Sequence, residues 1–199
     1  MCGTTATISV GFSRERFCEG AHICFVFRDE ADRKAIVSKF VESGLLEGER
    51  VHYFADTAEP REVVDWLGTL GVDVLPALEH RDFSVADATG TYCPDGTFDP
   101  DRMCEKLKDS YATAKSEGYP MARATGEMSW ALKGYPGSER LMEYEAAINT
   151  VVKTHPITAM CQYDANRFDG ELVFKALQVH PYMVMNGQLV KNPYYVVSE

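Results

Sequence analysis

Six consecutive apolar or β-forming positions, His22-Ile-Cys-Phe-Val-Phe27, predict a strand short enough to be buried on both faces. The spacing then turns helical, with Ile36, Val37, Phe40 and Val41 on one stripe and Gly44 placed as a C-terminal stop. Glu49 and Arg50 lead into a second apolar run, Val51-His-Tyr-Phe-Ala55, closed by Asp56. Strand, helix and strand in such close succession imply a right-handed parallel crossover.

The flanking pattern is more broken. Ala6 to Val10 is β-prone, an extra strand or pairing arm, and Ser13 to Gly20 reads as a charged loop. Pro60 opens a helix through Val63, Trp66 or Leu67, and Leu70, with Gly71 ending it. Pro76 forbids a central strand between Val74 and Ala86, although His80 to Ala86 suits an edge strand. Gly90 to Gly96 reads as a loop. Asp99-Pro100 starts a helix with Met103, Leu107, Tyr111 and Ala114 on one face and Gly118 as its stop. Tyr119 to Ala124 is expected as the third parallel strand. Ser138 caps a helix through Leu141, Tyr144, Ile148 and Val151 or Val152. Ile157 to Cys161 is the next strand, Phe168 to Val179 the last helix, and Asn186-Gly187 the turn of a closing hairpin from Met183 to Val190. No repeat, low-complexity segment or linker interrupts the chain, so residues 1–199 are read as a single domain.

The first strand–helix turn changes the picture. A phosphate-binding crossover needs glycines there, so that backbone N–H groups can close on the phosphates, with a lysine to neutralise them. This turn is Arg28-Asp-Glu-Ala-Asp-Arg33, without glycine. Asp29, Glu30 and Asp32 would cap the helix themselves and repel a polyphosphate, an effect Arg28 and Arg33 only partly offset.

Phe40-Val-Glu-Ser-Gly-Leu-Leu-Glu-Gly-Glu-Arg-Val-His-Tyr53 resembles the stretch that follows the phosphate loop in RecA-type ATPases of the circadian-clock kind. With that loop lost, the pattern is similar to the MEDS family, the methanogen/methylotroph sensory domain. Arg123-Ala-Thr-Gly-Glu-Met-Ser-Trp130, Glu143-Tyr-Glu145 with Asn149, His180-Pro181 and Asn192-Pro-Tyr-Tyr195 continue the match in order. The resemblance implies a RecA-like three-layer α/β fold with a mainly parallel central sheet and a C-terminal β-hairpin. It also implies a non-catalytic module that senses a small molecule, C1 compounds or other hydrocarbon derivatives, within a signalling or transcription-control pathway. Its partner would be a kinase or transcription regulator; homo-oligomerisation is left open. No attached DNA-binding or kinase domain is expected in 199 residues, so the signal would pass by protein contact.

Charge and composition narrow the partners. A formal net charge of -10, with no basic run, disfavours direct nucleic-acid contact. No leader pattern or membrane-length apolar stretch is read, so a cytoplasmic protein is expected. The 6 cysteines form no C-x-x-C pair, and thiols rather than disulfides are expected, with Cys24 and Cys161 as core hydrophobes. His22, His52 and His180, with Cys24 nearby, match no metal-ligand spacing. Neither metal nor cofactor is expected.

Ligands of open parallel sheets collect beyond the carboxyl ends of the strands. That rule selects Arg28 and Asp29, Asp56, the run Arg123 to Trp130, and Gln162, Tyr163 and Asp164. Glu127 could act as a base or magnesium ligand, or simply pair with Arg123. Glu145 and Asn149 share the stripe of Leu141, Ile148 and Val152, so two polar groups face inward and must find partners or line a pocket. The candidate ligand set is Arg123, Glu127, Met128, Trp130, Glu145, Asn149, Gln162, Tyr163, Asn192 and Tyr194. A divergent nucleotide hydrolase or transferase using Glu127 and Arg123 is the alternative function; an acidic protein-binding scaffold is a third.

Overall fold

Residues 7–196 are described in the computed structural model. Strands β1 (Thr7–Ile8) and β2 (Phe17–Cys18) form a small antiparallel arm. Then come β3 (His22–Phe27), α1 (Glu30–Leu46), β4 (Arg50–Ala55), α2 (Pro60–Thr69), α3 (Leu75–His80), β5 (Phe83–Asp87) and α4 (Ala88–Tyr92). The second half supplies α5 (Pro100–Ser116), β6 (Ala122–Glu127), α6 (Leu141–Thr154), β7 (Thr158–Asp164), α7 (Gly170–Val179), β8 (Tyr182–Met185) and β9 (Gln188–Lys191).

The main sheet runs β5-β4-β6-β7-β3-β8-β9 and is parallel except for the terminal β8–β9 pair. This is the expected three-layer arrangement with its C-terminal hairpin. Alternation along each central strand divides the core into two halves. Ile23, Phe25, Tyr53 and Met160 face α1 and α2, whereas Cys24, Cys161 and Tyr163 face α5, α6 and α7.

Several local expectations are corrected. The charged segment before Gly20 contains β2. Residues 75–80 are helical with Pro76 in the first turn, and the expected edge strand is present as β5, shifted from His80–Ala86 to Phe83–Asp87. Part of the Gly90–Gly96 segment is the short helix α4, started by the Asp87 side chain accepting the Gly90 N–H. Gly44 does not stop α1. The helix runs on to Leu46, and Gly48, with φ of +71°, takes the left-handed position beyond it. The missing side chain at Gly44 has another use: a Cβ there would lie 2.7 Å from Arg123 Nε. The third strand is Ala122–Glu127, so Arg123 lies near its beginning, not beyond its end. Cys24, Cys93, Cys104 and Cys161 are buried free thiols, whereas Cys18 is disulfide-bonded.

Candidate functional site

Two buried polar clusters lie on opposite faces of the sheet. The first sits at the carboxyl edge, where a phosphate loop would end. Asp29 caps α1 there, its carboxylate accepting the N–H groups of Ala31 and Asp32 at 2.8 and 3.0 Å. Arg33 shares the Val37/Phe40 stripe and is carried under the sheet edge, where it is 1% exposed. Its Nη1 donates to Tyr53 Oη at 2.6 Å, Gln162 Oε1 at 3.0 Å and Glu127 Oε1 at 3.1 Å. The guanidinium also lies over the Phe27 and Trp66 rings, at 5.6 and 5.8 Å.

Glu127 completes this network. Its Oε1 takes the Tyr53 hydroxyl at 2.8 Å as well as Arg33, and its Oε2 accepts from Asp56 N, Thr57 N and Thr57 Oγ1 at 3.1, 2.7 and 2.6 Å. Five donors use the carboxylate's acceptor capacity, leaving no lone pair for a water or a metal. Asp56 is likewise engaged, by Lys133 Nζ at 2.6 Å and Ser129 Oγ at 2.7 Å. Above lies a cleft of about 590 Å³ whose walls include Phe27, Trp66, Thr57 and the acids Glu30, Glu62 and Asp164.

Arg123 is not part of that network. It projects from the same face of β6 four residues earlier, pairs with Glu49 through Nε at 2.6 Å and Nη2 at 2.8 Å, and donates to the Phe40 carbonyl at 2.8 Å. The expected Glu127–Arg123 pair is therefore corrected: strand pleating puts both on one side, but each has its own partner. Met128 and Trp130 are core residues; Trp130 stacks on Tyr92 at 4.6 Å and leans on Phe98 at 4.7 Å. Tyr194 is 52% exposed, against Phe174.

The second cluster gathers Glu145, Asn149 and Tyr163 with three residues that were not in the candidate set: His22, Cys161 and His180. They come from α6, β7, the first position of β3 and the residue after α7. Glu145, His22 and His180 are at most 1% exposed. Glu145 Oε1 accepts the Tyr163 hydroxyl at 2.6 Å, which turns Oε2 toward His22 Nε2 at 3.1 Å and Cys161 Sγ at 3.3 Å. Cys161 Sγ is also 3.6 Å from His22 Nε2. His180 Nε2 lies 3.3 Å from Glu145 Oε2 but off the hydrogen-bond direction, so that nitrogen has no hydrogen-bond partner among the described residues.

The tautomers follow from the outer contacts. His180 Nδ1 faces the Ala176 carbonyl at 2.7 Å, which can only accept. His22 Nδ1 faces Asn149 Oδ1 at 3.0 Å, and that amide is oriented by its own Nδ2 donating to the Val179 carbonyl at 2.7 Å. Both Nδ1 atoms therefore carry hydrogen, and in the neutral rings both Nε2 lone pairs point inward. Asn192 holds the segment that bears His180, donating to the Leu177 and His180 carbonyls at 2.6 and 2.8 Å. Burial pushes the Glu145 carboxyl upward, whereas His180 and His22 hold it well below the usual carboxylate range when a ring carries a proton on Nε2. Burial, then the neighbouring His180, lowers the His22 imidazole. Burial, then Glu145, raises the Cys161 thiol.

Comparison with known proteins agrees with this architecture. The family model described as MEDS, the MEthanogen/methylotroph, DcmR Sensory domain, matches residues 21–181. The transcriptional repressor DcmR of Methylorubrum extorquens is 24% identical over 160 residues, which cover 80% of this chain and 57% of the repressor. The chain thus spans little more than half the length of that relative. A solved structure from Pyrococcus horikoshii, the uncharacterized protein PH0321 in complex with an unknown peptide, superposes with a TM-score of 0.64 at 16% identity, covering 87% of this chain and 82% of that one. The KaiC-like protein PH0186 from the same organism gives 0.60 at 12% identity, covering 90% and 80%. These likenesses are of fold, and the fold is RecA-like.

Proposed function

The chain belongs to the MEDS family, and from that premise we propose that it is a cytoplasmic sensory domain that binds a small molecule and signals by contact with a regulatory protein, without turning over nucleotide. The observation that carries this reading is the saturated Arg33–Glu127 network. A catalytic carboxylate at this edge must have a lone pair free for water or magnesium, and Glu127 has none. At the capped start of α1 the Ala31 and Asp32 N–H groups are taken by Asp29, and the lysine of that turn, Lys34, is paired with Glu30 at 3.8 Å. The alternative hydrolase loses its pair of residues, since Arg123 is committed to Glu49.

The cleft above this network supports a receiving role. Phe27 and Trp66 give it apolar surface, the Trp66 indole N–H is buried without a partner among the described residues, and Glu127 and Gln162 lie beneath through Thr57 and Arg33. Such a mixture suits a small, weakly polar organic molecule such as a C1 or halocarbon compound. The relative named as a transcriptional repressor is consistent with output to transcription, and the net charge of -10 favours a protein partner over DNA for this chain.

The test is a thermal-shift and fluorescence titration with methanol-type and halomethane ligands on one side and Mg-ATP on the other. In a Trp130→Phe background Trp66 is the single tryptophan and reports on the cleft. Saturable change of its emission with a small organic ligand, and none with Mg-ATP, is expected. Mg-ATP binding with turnover, or silence toward every organic ligand tried, would refute the proposal.

A further inference from the structure

We propose that His22, Glu145, Cys161 and His180 form a binding site for one divalent transition-metal ion of the zinc class, held through the two Nε2 atoms, Glu145 Oε2 and Cys161 Sγ. This goes beyond the sensory reading and does not rest on it, because the cluster lies on the opposite face of the sheet from the cleft.

Three observations carry the proposal. The first is the direction of the lone pairs. Both Nδ1 atoms are tied to fixed oxygen acceptors, so two neutral imidazoles aim acceptors at a carboxylate oxygen that is itself an acceptor. Among these four atoms the Cys161 S–H is the one donor, and His180 Nε2 is left without a hydrogen-bond partner among the described residues. A buried polar atom in that state is costly, and a cation at the centre satisfies all four atoms together.

The second is spacing. Zinc bonds of about 2.0–2.2 Å to nitrogen or oxygen and about 2.3 Å to sulfur put the ligand atoms of a tetrahedron roughly 3.3–3.6 Å apart. The cluster shows 3.1 and 3.3 Å between Glu145 Oε2 and the two imidazoles, 3.3 Å from Glu145 Oε2 to Cys161 Sγ, and 3.6 Å from Cys161 Sγ to His22 Nε2. All four atoms lie within 4.8 Å of one another, so small side-chain rotations close the set.

The third is charge and support. Two neutral imidazoles, a thiolate and a carboxylate cancel a dication, giving a neutral centre in a place where a net charge would be expensive. Binding releases the Cys161 proton to solvent. Three of the four ligands also have the outer hydrogen bond typical of metal sites: Asn149 for His22, the Ala176 carbonyl for His180, and Tyr163 for Glu145. With four protein ligands and full burial the site is closed, which fits a structural or regulatory ion and not a catalytic one.

The full chain, stripped with a chelator, is titrated with zinc alone and with cobalt(II) alone. One equivalent should bind, with a rise in Tm, and the cobalt form should show tetrahedral d–d absorption together with a thiolate charge-transfer band. Cys161→Ser should abolish that band, whereas Cys104→Ser should keep it. Asn149→Ala, which touches no metal, should weaken affinity about 10–100-fold through loss of the His22 tether. If Cys161→Ser fails to fold, the wild-type spectrum and stoichiometry decide the matter. Substoichiometric uptake, an unchanged Tm, or a thiolate band that survives in a folded Cys161→Ser variant would overturn the assignment. The sensory reading would still stand or fall on its own titration.

Discussion

Replacing Glu127 by Leu tests the interaction that closes the carboxyl edge. The substitution leaves five donors without their acceptor. The Asp56 and Thr57 amides lie at a part-buried position and can turn to water. The Arg33 guanidinium cannot: it is 1% exposed, and its other carboxylate, Glu30, is 54% exposed and screened. Removing one member of a buried pair costs about 3–5 kcal/mol, and Glu127→Leu belongs at the upper end. Arg33→Met takes away only one of the five donors and replaces the charge with a flexible apolar chain against Phe27 and Trp66, so it belongs near about 3 kcal/mol. In a chain of this size each kcal/mol is worth about 2–4 °C in Tm. The expected losses are about 10–20 °C for Glu127→Leu and about 6–12 °C for Arg33→Met. The double variant should recover part of the sum, with a coupling of about 1–3 kcal/mol. Urea midpoints and thermal scans on the four proteins give the cycle. An additive double variant, or Arg33→Met worse than Glu127→Leu, would refute the reasoning. The double variant should still not bind Mg-ATP, because Asp29, Glu30 and Asp32 remain at the start of α1.

Three further outcomes are expected. His52, held between Ser84 and Ser110, has its imidazole lowered from 6.5 to about 4 by burial and then by Arg50. The unfolded chain takes up this proton below 6.5 and the folded one only near 4, so stability falls as pH drops through that window, by up to about 3 kcal/mol; urea midpoints of His52→Gln should show a flatter fall. Gly44→Ala should destabilise by about 1–3 kcal/mol, despite alanine's better helix propensity, because its Cβ displaces Arg123 from Glu49; a more stable variant in urea would contradict that packing. Trp130→Ala should cost about 3–5 kcal/mol, whereas Trp130→Phe, which keeps one ring against Tyr92 and Phe98 and loses no hydrogen bond among the described residues, should cost about 1–2 kcal/mol for the smaller cavity. Thermal scans separate the two.

The strands and helices that announced themselves in the sequence are those with one dominant period. His22–Phe27 and the α5 and α6 stripes were readable because most of their inward positions are apolar and burial decides them. β6 was displaced because its inward positions are Arg123, Thr125 and Glu127, each polar and each satisfied by a different partner. Hydropathy scores such a strand as surface, and only the partners, 35–74 residues away along the chain, make it core. Arg33 was within reach: its phase with Val37 and Phe40 places it inward, which for an arginine demands a buried acid. Gly44 misled for a related reason. A helical glycine reads as a terminus until the side chain that needs its space is known.

The His22–Glu145–Cys161–His180 cluster escaped a motif search on topological grounds. Spacing rules work when two ligands share one helix or one turn, as in H-x-x-x-H or C-x-x-C. Here each ligand comes from a separate segment, and the parallel sheet brings His22 and Cys161 together by setting β3 beside β7, with Cys24 opposite Cys161 in register. The usable signal was Glu145 and Asn149 on an apolar stripe, which demanded buried partners, together with two histidines flanking buried strands. Neither alone names a metal. Joined through the strand order, which adds Cys161 from β7, Glu145 and the two histidines become a set of the right type, the right number and a cancelling charge, and it is the strand order that linear spacing cannot express.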